Sequence, residues 1–147
     1  MKSIYIFTLL ITCLFSSCKT HQNLKTEVVK LSETTKSWNG DDLPEYLDGK
    51  PKITILKITI PPHTKLKVHK HLVINAGVLL KGELLVVDEH NNTLNLKAGN
   101  PIVELVNTFH HGENNTNKPA EIIVFYAGNV DVPITVLKDG NASGSNH

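Results

Sequence analysis

Two histidines two residues apart, in Lys67-Val68-His69-Lys70-His71-Leu72-Val73, are the side chains of this sequence best spaced to do chemistry together. In an extended chain, residues i and i+2 leave the same face, so both imidazoles project together and Lys70 points the other way. A neutral imidazole offers one nitrogen lone pair, and three of them on one interior wall suit a divalent Zn, Fe, Mn, Ni or Cu ion. The third donor lies in the pair His110-His111, 39 residues after His71 for the nearer member, and only one of that pair is needed. His63 stands six residues before His69. The competing reading is a set of solvent-facing or core-satisfied histidines, and the His-x-His spacing alone leaves both open.

The elements that must bring these imidazoles together are strands. Nowhere do apolar residues recur every three to four positions over a helical length. Short runs rich in Val and Ile occur instead at 27–31, 53–60, 66–68, 73–80, 84–87, 94–96, 102–106, 121–126 and 132–137. Turn residues separate them, among them Asn39-Gly40-Asp41-Asp42, Pro61-Pro62, Lys81-Gly82, Ala98-Gly99-Asn100 and Gly128-Asn129. Short strands so evenly punctuated predict an all-β sandwich or barrel. The third imidazole meets the other two if the 102–106 run and its turn fold beside the His-x-His strand.

At 147 residues the chain suffices for one core and not for two. Its 15 basic residues are all lysine, against 14 acidic ones, for a net charge of +1. With no clustered basic excess and only 5% aromatics, neither a phosphate-tracking surface nor a base-stacking platform is present, which argues against nucleic acid as a partner.

The first residues differ from the rest. After Lys2, the stretch 4–15 has only Thr8 and Thr12 as polar members. Twelve residues of helix would cover roughly 18 Å, short of a hydrocarbon core about 30 Å thick, so the stretch reads as a secretory signal and not as a spanning helix. Leu14-Phe15-Ser16-Ser17-Cys18 resembles the lipobox of bacterial lipoprotein signals, and that resemblance implies cleavage before Cys18 and lipidation of its thiol. The expected organisation is a signal peptide at 1–17, a tether with lipidated Cys18 at 18–26, a β domain at 27–138 and a loose tail at 139–147. Such a protein sits on the periplasmic or cell-surface side of the envelope. Cys13 leaves with the signal, so no disulfide or cysteine nucleophile serves the domain.

From about Lys52 to Gly128 the sequence resembles the cupin superfamily, as a small single-domain member. The first motif of that family, G-x5-H-x-H-x3,4-E-x6-G, is matched by His69-x-His71-x3-Asn75-x6-Gly82. The second, G-x5-P-x-G-x2-H-x3-N, is matched by Gly99-x5-Leu105-x-Asn107-x2-His110-x3-Asn114. The resemblance implies a jelly-roll β-barrel and selects His110 over His111 beside His69 and His71. The sequence departs from the pattern at Asn75, where the family has glutamate, at Leu105 and Asn107, and at His63, which stands where the first motif opens on glycine. Asn107 is of the type that best replaces glycine in a left-handed conformation. Asn75 supplies at most a weak neutral ligand and no base, so a divalent ion held by the three histidines keeps its +2 charge and favours an anionic substrate. Among family members, those similar to three-histidine iron thiol dioxygenases or to zinc-dependent lyases remain as analogues.

Two further groups are catalytic candidates. Glu104 is the one carboxylate in an otherwise apolar strand; facing inward it is a base or substrate contact, facing outward a solvated side chain, and parity alone leaves this open. Tyr126 presents a phenol to the cavity or packs with a wet tip. Trp38 and Tyr46 cap the barrel mouth or fill a dimer contact. A homodimer is expected, because edge strands need cover. The functional expectation is a metal-dependent enzyme acting on a small anionic metabolite, with dioxygenase chemistry ahead of lyase or isomerase chemistry. The alternative is a non-catalytic lipoprotein that binds a sugar or another small molecule in the same cavity.

Overall fold

Alternation of buried and more exposed side chains builds the molecule. In β4 (Ile74–Lys81) Asn75, Gly77 and Leu79 are buried while Ile74, Ala76 and Val78 are not, and in β9 (Ala120–Asn129) Ala120, Ile122, Val124, Tyr126 and Gly128 are buried. Two sheets formed this way can close only by turning their apolar faces on each other. The computed structural model describes residues 25–139 and shows that arrangement, a jelly roll of ten strands with no helix among the described residues. The remaining strands are β1 (Pro51–Ile60), β2 (Thr64–Lys65), β3 (His69–His71), β5 (Glu83–Asp88), β6 (Thr93–Lys97), β7 (Pro101–Val103), β8 (His110–Asn114) and β10 (Thr135–Leu137).

One antiparallel sheet runs β1-β9-β4-β7 and the other β10-β3-β8-β5-β6, with β2 also paired to β8. Ile60, Leu79, Leu84, Val86, Leu96, Ile102, Ile122 and Val124 fill the space between them. Each such side chain contributes about 1.5–3 kcal/mol by leaving water. β4 and β9 approach so closely that a Cβ on Gly77 would lie 2.6 Å from the Ile123 carbonyl oxygen.

The expected turns appear with the required backbone. Asn107 has φ 61° and Gly82 φ 75°. His63, in the place of the family's opening glycine, is also left-handed, at φ 52°.

Four expected strands are corrected. Residues 27–31 form none; Val28 and Val29 are exposed, because a β-branched run becomes a strand only where a ladder partner exists. The 66–68 run belongs to no strand and only links β2 to β3, its Leu66 N–H bonded to the Gly112 carbonyl at 2.9 Å. The 102–106 strand stops at Val103, since the chain must turn at Asn107, and Val106 keeps a single parallel bridge to His71. Of 132–137 only Thr135–Leu137 pairs, while Val132 and Ile134 pack on the core without a ladder. The signal segment, Cys18 and the tail after residue 139 lie outside the described residues.

Candidate metal centre

β3 carries His69 and His71, and β8 brings His110 directly opposite, with His69 and His110 as Cα partners. The turn before β8 is fastened beneath them by the Asn107 N–H donating to the His71 carbonyl at 2.7 Å. The three rings meet at centroid separations of 5.1, 4.6 and 5.0 Å, and one ring nitrogen of each lies within 4.8 Å of the others. Of the sequence candidates, His69, His71 and His110 thus converge. His111 turns outward to Glu113, and His63 is exposed with its Nε2 2.7 Å from Asn117 Oδ1.

Carbonyl oxygens fix the tautomers. His69 Nδ1 lies 2.7 Å from the Lys67 oxygen and His110 Nδ1 2.9 Å from the Thr108 oxygen. His71 Nδ1 faces the Ile134 carbonyl at 3.2 Å and the Thr135 hydroxyl at 3.1 Å. A carbonyl can only accept, so each Nδ1 carries the proton and each Nε2 turns a lone pair to the interior, the orientation that metal-binding histidines require. Burial keeps the rings neutral. It lowers the pKa of His69 and His110, and with the neighbouring His110 and His69 it brings His71 down to about 3.

Glu104 faces inward, which settles its parity. Its Oε2 is 3.7 Å from His110 Nε2, and burial raises its pKa to about 7 against the pull of His69 and of the Leu105 backbone. Tyr126 is buried with its ring 5.4 Å from that of His71, and its phenol is held above the usual range by burial and then by Glu104. Asn75 donates its amide N–H to the Val73 carbonyl at 3.1 Å. Trp38 packs on the core, whereas Tyr46 is exposed.

The three histidines, Glu104 and Tyr126 share a cavity of about 60 Å³ with Ile58, Leu66 and Val124. His110 Nε2, Glu104 Oε2 and Asn75 Oδ1 are buried without a hydrogen-bond partner. Each such atom costs about 1–3 kcal/mol unless something satisfies it. A divalent ion in this cavity would do so for His110 Nε2 and Glu104 Oε2, which line it, and the donor set fits one. The orienting groups Ile134 and Thr135 escaped the sequence reading, because the β10–β3 pairing that delivers them joins residues over 60 positions apart and leaves no local mark.

A family model described as "Cupin domain" matches residues 56–126. No curated protein matches the chain. Among solved structures it is similar to oxalate oxidase, at 22% identity over 64% of this chain and 50% of that one, TM-score 0.51. It is also similar to oxalate oxidase in complex with the substrate analogue glycolate, at 21% identity over 58% and 46%, TM-score 0.50. A third is the DMSP lyase DddQ from Ruegeria pomeroyi DSS-3, at 17% identity over 60% and 44%, TM-score 0.53. The chain spans half or less of the length of each, and at these identities the likeness is one of fold.

Proposed function

We propose, on the match of residues 56–126 to a cupin domain, that the chain holds a divalent transition metal through His69, His71 and His110 and acts on a small anionic metabolite, with dioxygenase-like chemistry first. The observation that carries this reading is the convergence of three neutral, backbone-oriented imidazoles on one small interior cavity. A metal bound there would supply Lewis acidity toward a carboxylate or carbonyl oxygen, or redox chemistry with dioxygen. The chain's own groups do the rest. Ile58, Leu66 and Val124 exclude water, Tyr126 offers its phenol to the substrate, and the neutral histidines leave the centre with a net positive charge, which draws an anion.

Cavity size favours this over the sugar-binding alternative. A volume of about 60 Å³ takes an ion and a ligand of few atoms, whereas pockets for larger ligands run to about 300–1,000 Å³. The glycolate bound by one oxalate oxidase is a ligand of the smaller kind.

The setting proposed for this activity is the cell envelope, with Cys18 lipidated after loss of residues 1–17, and the working form a homodimer. The pattern Ser16-Ser17-Cys18 supports the first. Support for the second comes from β1, an edge strand whose outward Ile53 and Ile55 are 66% and 54% exposed beside Phe125 at 47%.

The test is metal analysis of the purified full chain together with oxygen uptake over a panel of small carboxylic acids. Metal-dependent uptake with one acid supports the reading. A site that stays empty with Fe, Mn, Ni, Zn and Cu overturns it. Metal without turnover of any acid leaves the non-catalytic alternative.

A further inference from the structure

We infer that Glu104 is the fourth ligand of this centre, a carboxylate delivered from the end of β7 to replace the one that the first cupin motif would carry at position 75. The inference rests on the metal-centre reading above and goes beyond it.

The β4–β7 ladder pairs Ala76 with Val103, and its next step is the Glu104 N–H donating to the Asn75 carbonyl at 3.0 Å. Positions 75 and 104 are therefore side by side, and both are buried, at 1% and 9% exposure. A carboxylate on either strand can serve the same space. The one carboxylate lining the cavity stands on the second, and Asn75 instead ties its amide to the Val73 carbonyl.

Donor accounting then decides what Glu104 does. His110 spends its ring proton on the Thr108 carbonyl, so its Nε2 is a lone pair. Glu104 Oε2 lies 3.7 Å away, and no other group pairs with either atom. That distance is too long for a hydrogen bond from a protonated Glu104. Two buried acceptors facing each other repel unless a cation stands between them. Atoms bound to one ion at about 2.1 Å are roughly 3–4 Å apart over the usual ligand angles, and the observed separation falls in that range.

The segment before β1 holds Glu104 in place. Ser37 donates its hydroxyl to the Glu104 carbonyl at 2.9 Å, and the Trp38 N–H donates to the Val103 carbonyl at 2.9 Å. These bonds fasten the end of an edge strand that would otherwise fray, and so fix the carboxylate against the histidines. Bound, it would lower the centre's charge by one unit.

The experiment titrates Co²⁺ alone into the chelator-stripped full chain, following affinity by calorimetry and ligand field by visible absorption. The variants are Glu104→Gln and the exchange Asn75→Glu/Glu104→Asn. Glu104→Gln keeps size and hydrogen-bonding capacity but removes the anion. It is expected to weaken Co²⁺ binding by at least about 10–100-fold, the loss known for outer-shell partners, and to change the absorption bands. The exchange variant is expected to regain most of the affinity.

Wild-type affinity and spectrum in Glu104→Gln would overturn the inference and leave the three-histidine centre standing. Weaker binding with an unchanged spectrum overturns ligation and makes Glu104 a positioning residue. A wild-type chain that takes up no Co²⁺ overturns the metal-centre reading and this inference together. Stripped Glu104→Gln should melt no lower than stripped wild type, because it loses a buried charge without a partner; if it does not fold, the exchange variant decides, and failure to bind Co²⁺ overturns the inference.

Discussion

His111 Nε2 sits 2.8 Å from Glu113 Oε1 on the outward side of β8, while His110, one residue earlier, turns its ring into the cavity. Adjacent strand residues face opposite ways, so one imidazole of the pair serves the interior and the other a hydrogen bond to Glu113 on the opposite face. Replacing His69, His71 or His110 by alanine should each abolish stoichiometric metal uptake, a larger loss than the about 10–100-fold that an outer partner costs. His111→Ala should leave uptake unchanged. Elemental analysis of the four variants checks this, and an equal loss in His111→Ala would break the assignment.

Glu113 is one of the carboxylates expected to make stability fall at acid pH. Hydrogen bonds from Lys65, then His111 and Asn115, lower its pKa from 4.5 to about 2. A carboxylate with a depressed folded pKa stabilises fully above its unfolded value and loses that contribution as pH falls through the folded one. The melting temperature should therefore fall between about pH 4.5 and 2, and Glu113→Gln should flatten that fall. Thermal melts across this range decide; parallel profiles for the two proteins would refute the role.

Asn114 clamps two turns. Fully buried, it shares its two amide protons among the carbonyls of Ile60, Pro61 and Lys118 at 3.0, 3.0 and 2.8 Å and accepts from the Thr116 N–H at 3.1 Å. Asn114→Ala strands these groups and should cost about 3 kcal/mol in urea unfolding, with metal stoichiometry unaltered. A cost within the about ±0.5 kcal/mol of an ordinary surface change would contradict the clamp.

The outer face of the β1-β9-β4-β7 sheet should be the dimer contact. Ile55 is the cross-strand partner of Phe125, and both are exposed there. Light scattering is expected to give a dimer for the wild-type chain and a monomer for Ile55→Lys. A wild-type monomer at micromolar concentration sinks the proposal.

Cys18→Ser should move the protein from the membrane to the soluble fraction, since stable anchoring needs two or more acyl chains. Fractionation with sequencing of the mature end tests it. Continued membrane association with a mature end other than Cys18 would count against lipidation.

The three convergent imidazoles were legible in the sequence because their arrangement is a matter of local period. His69 and His71 share a face at spacing two, and motif spacing separates His110 from His111. The left-handed turn at Asn107 was legible too, because few residue types tolerate it. Sequence pattern therefore determined the all-β class and the three imidazoles. Only the tertiary structure decided which way Glu104 points, since a strand's parity becomes inward or outward when it meets a particular sheet, and the ladder to Asn75 made that choice. It also decided that residues 27–31 stay unpaired, and that Ile134 and Thr135 orient His71 from across β10. Those outcomes depend on pairings between distant segments, whose partners no local window of sequence contains.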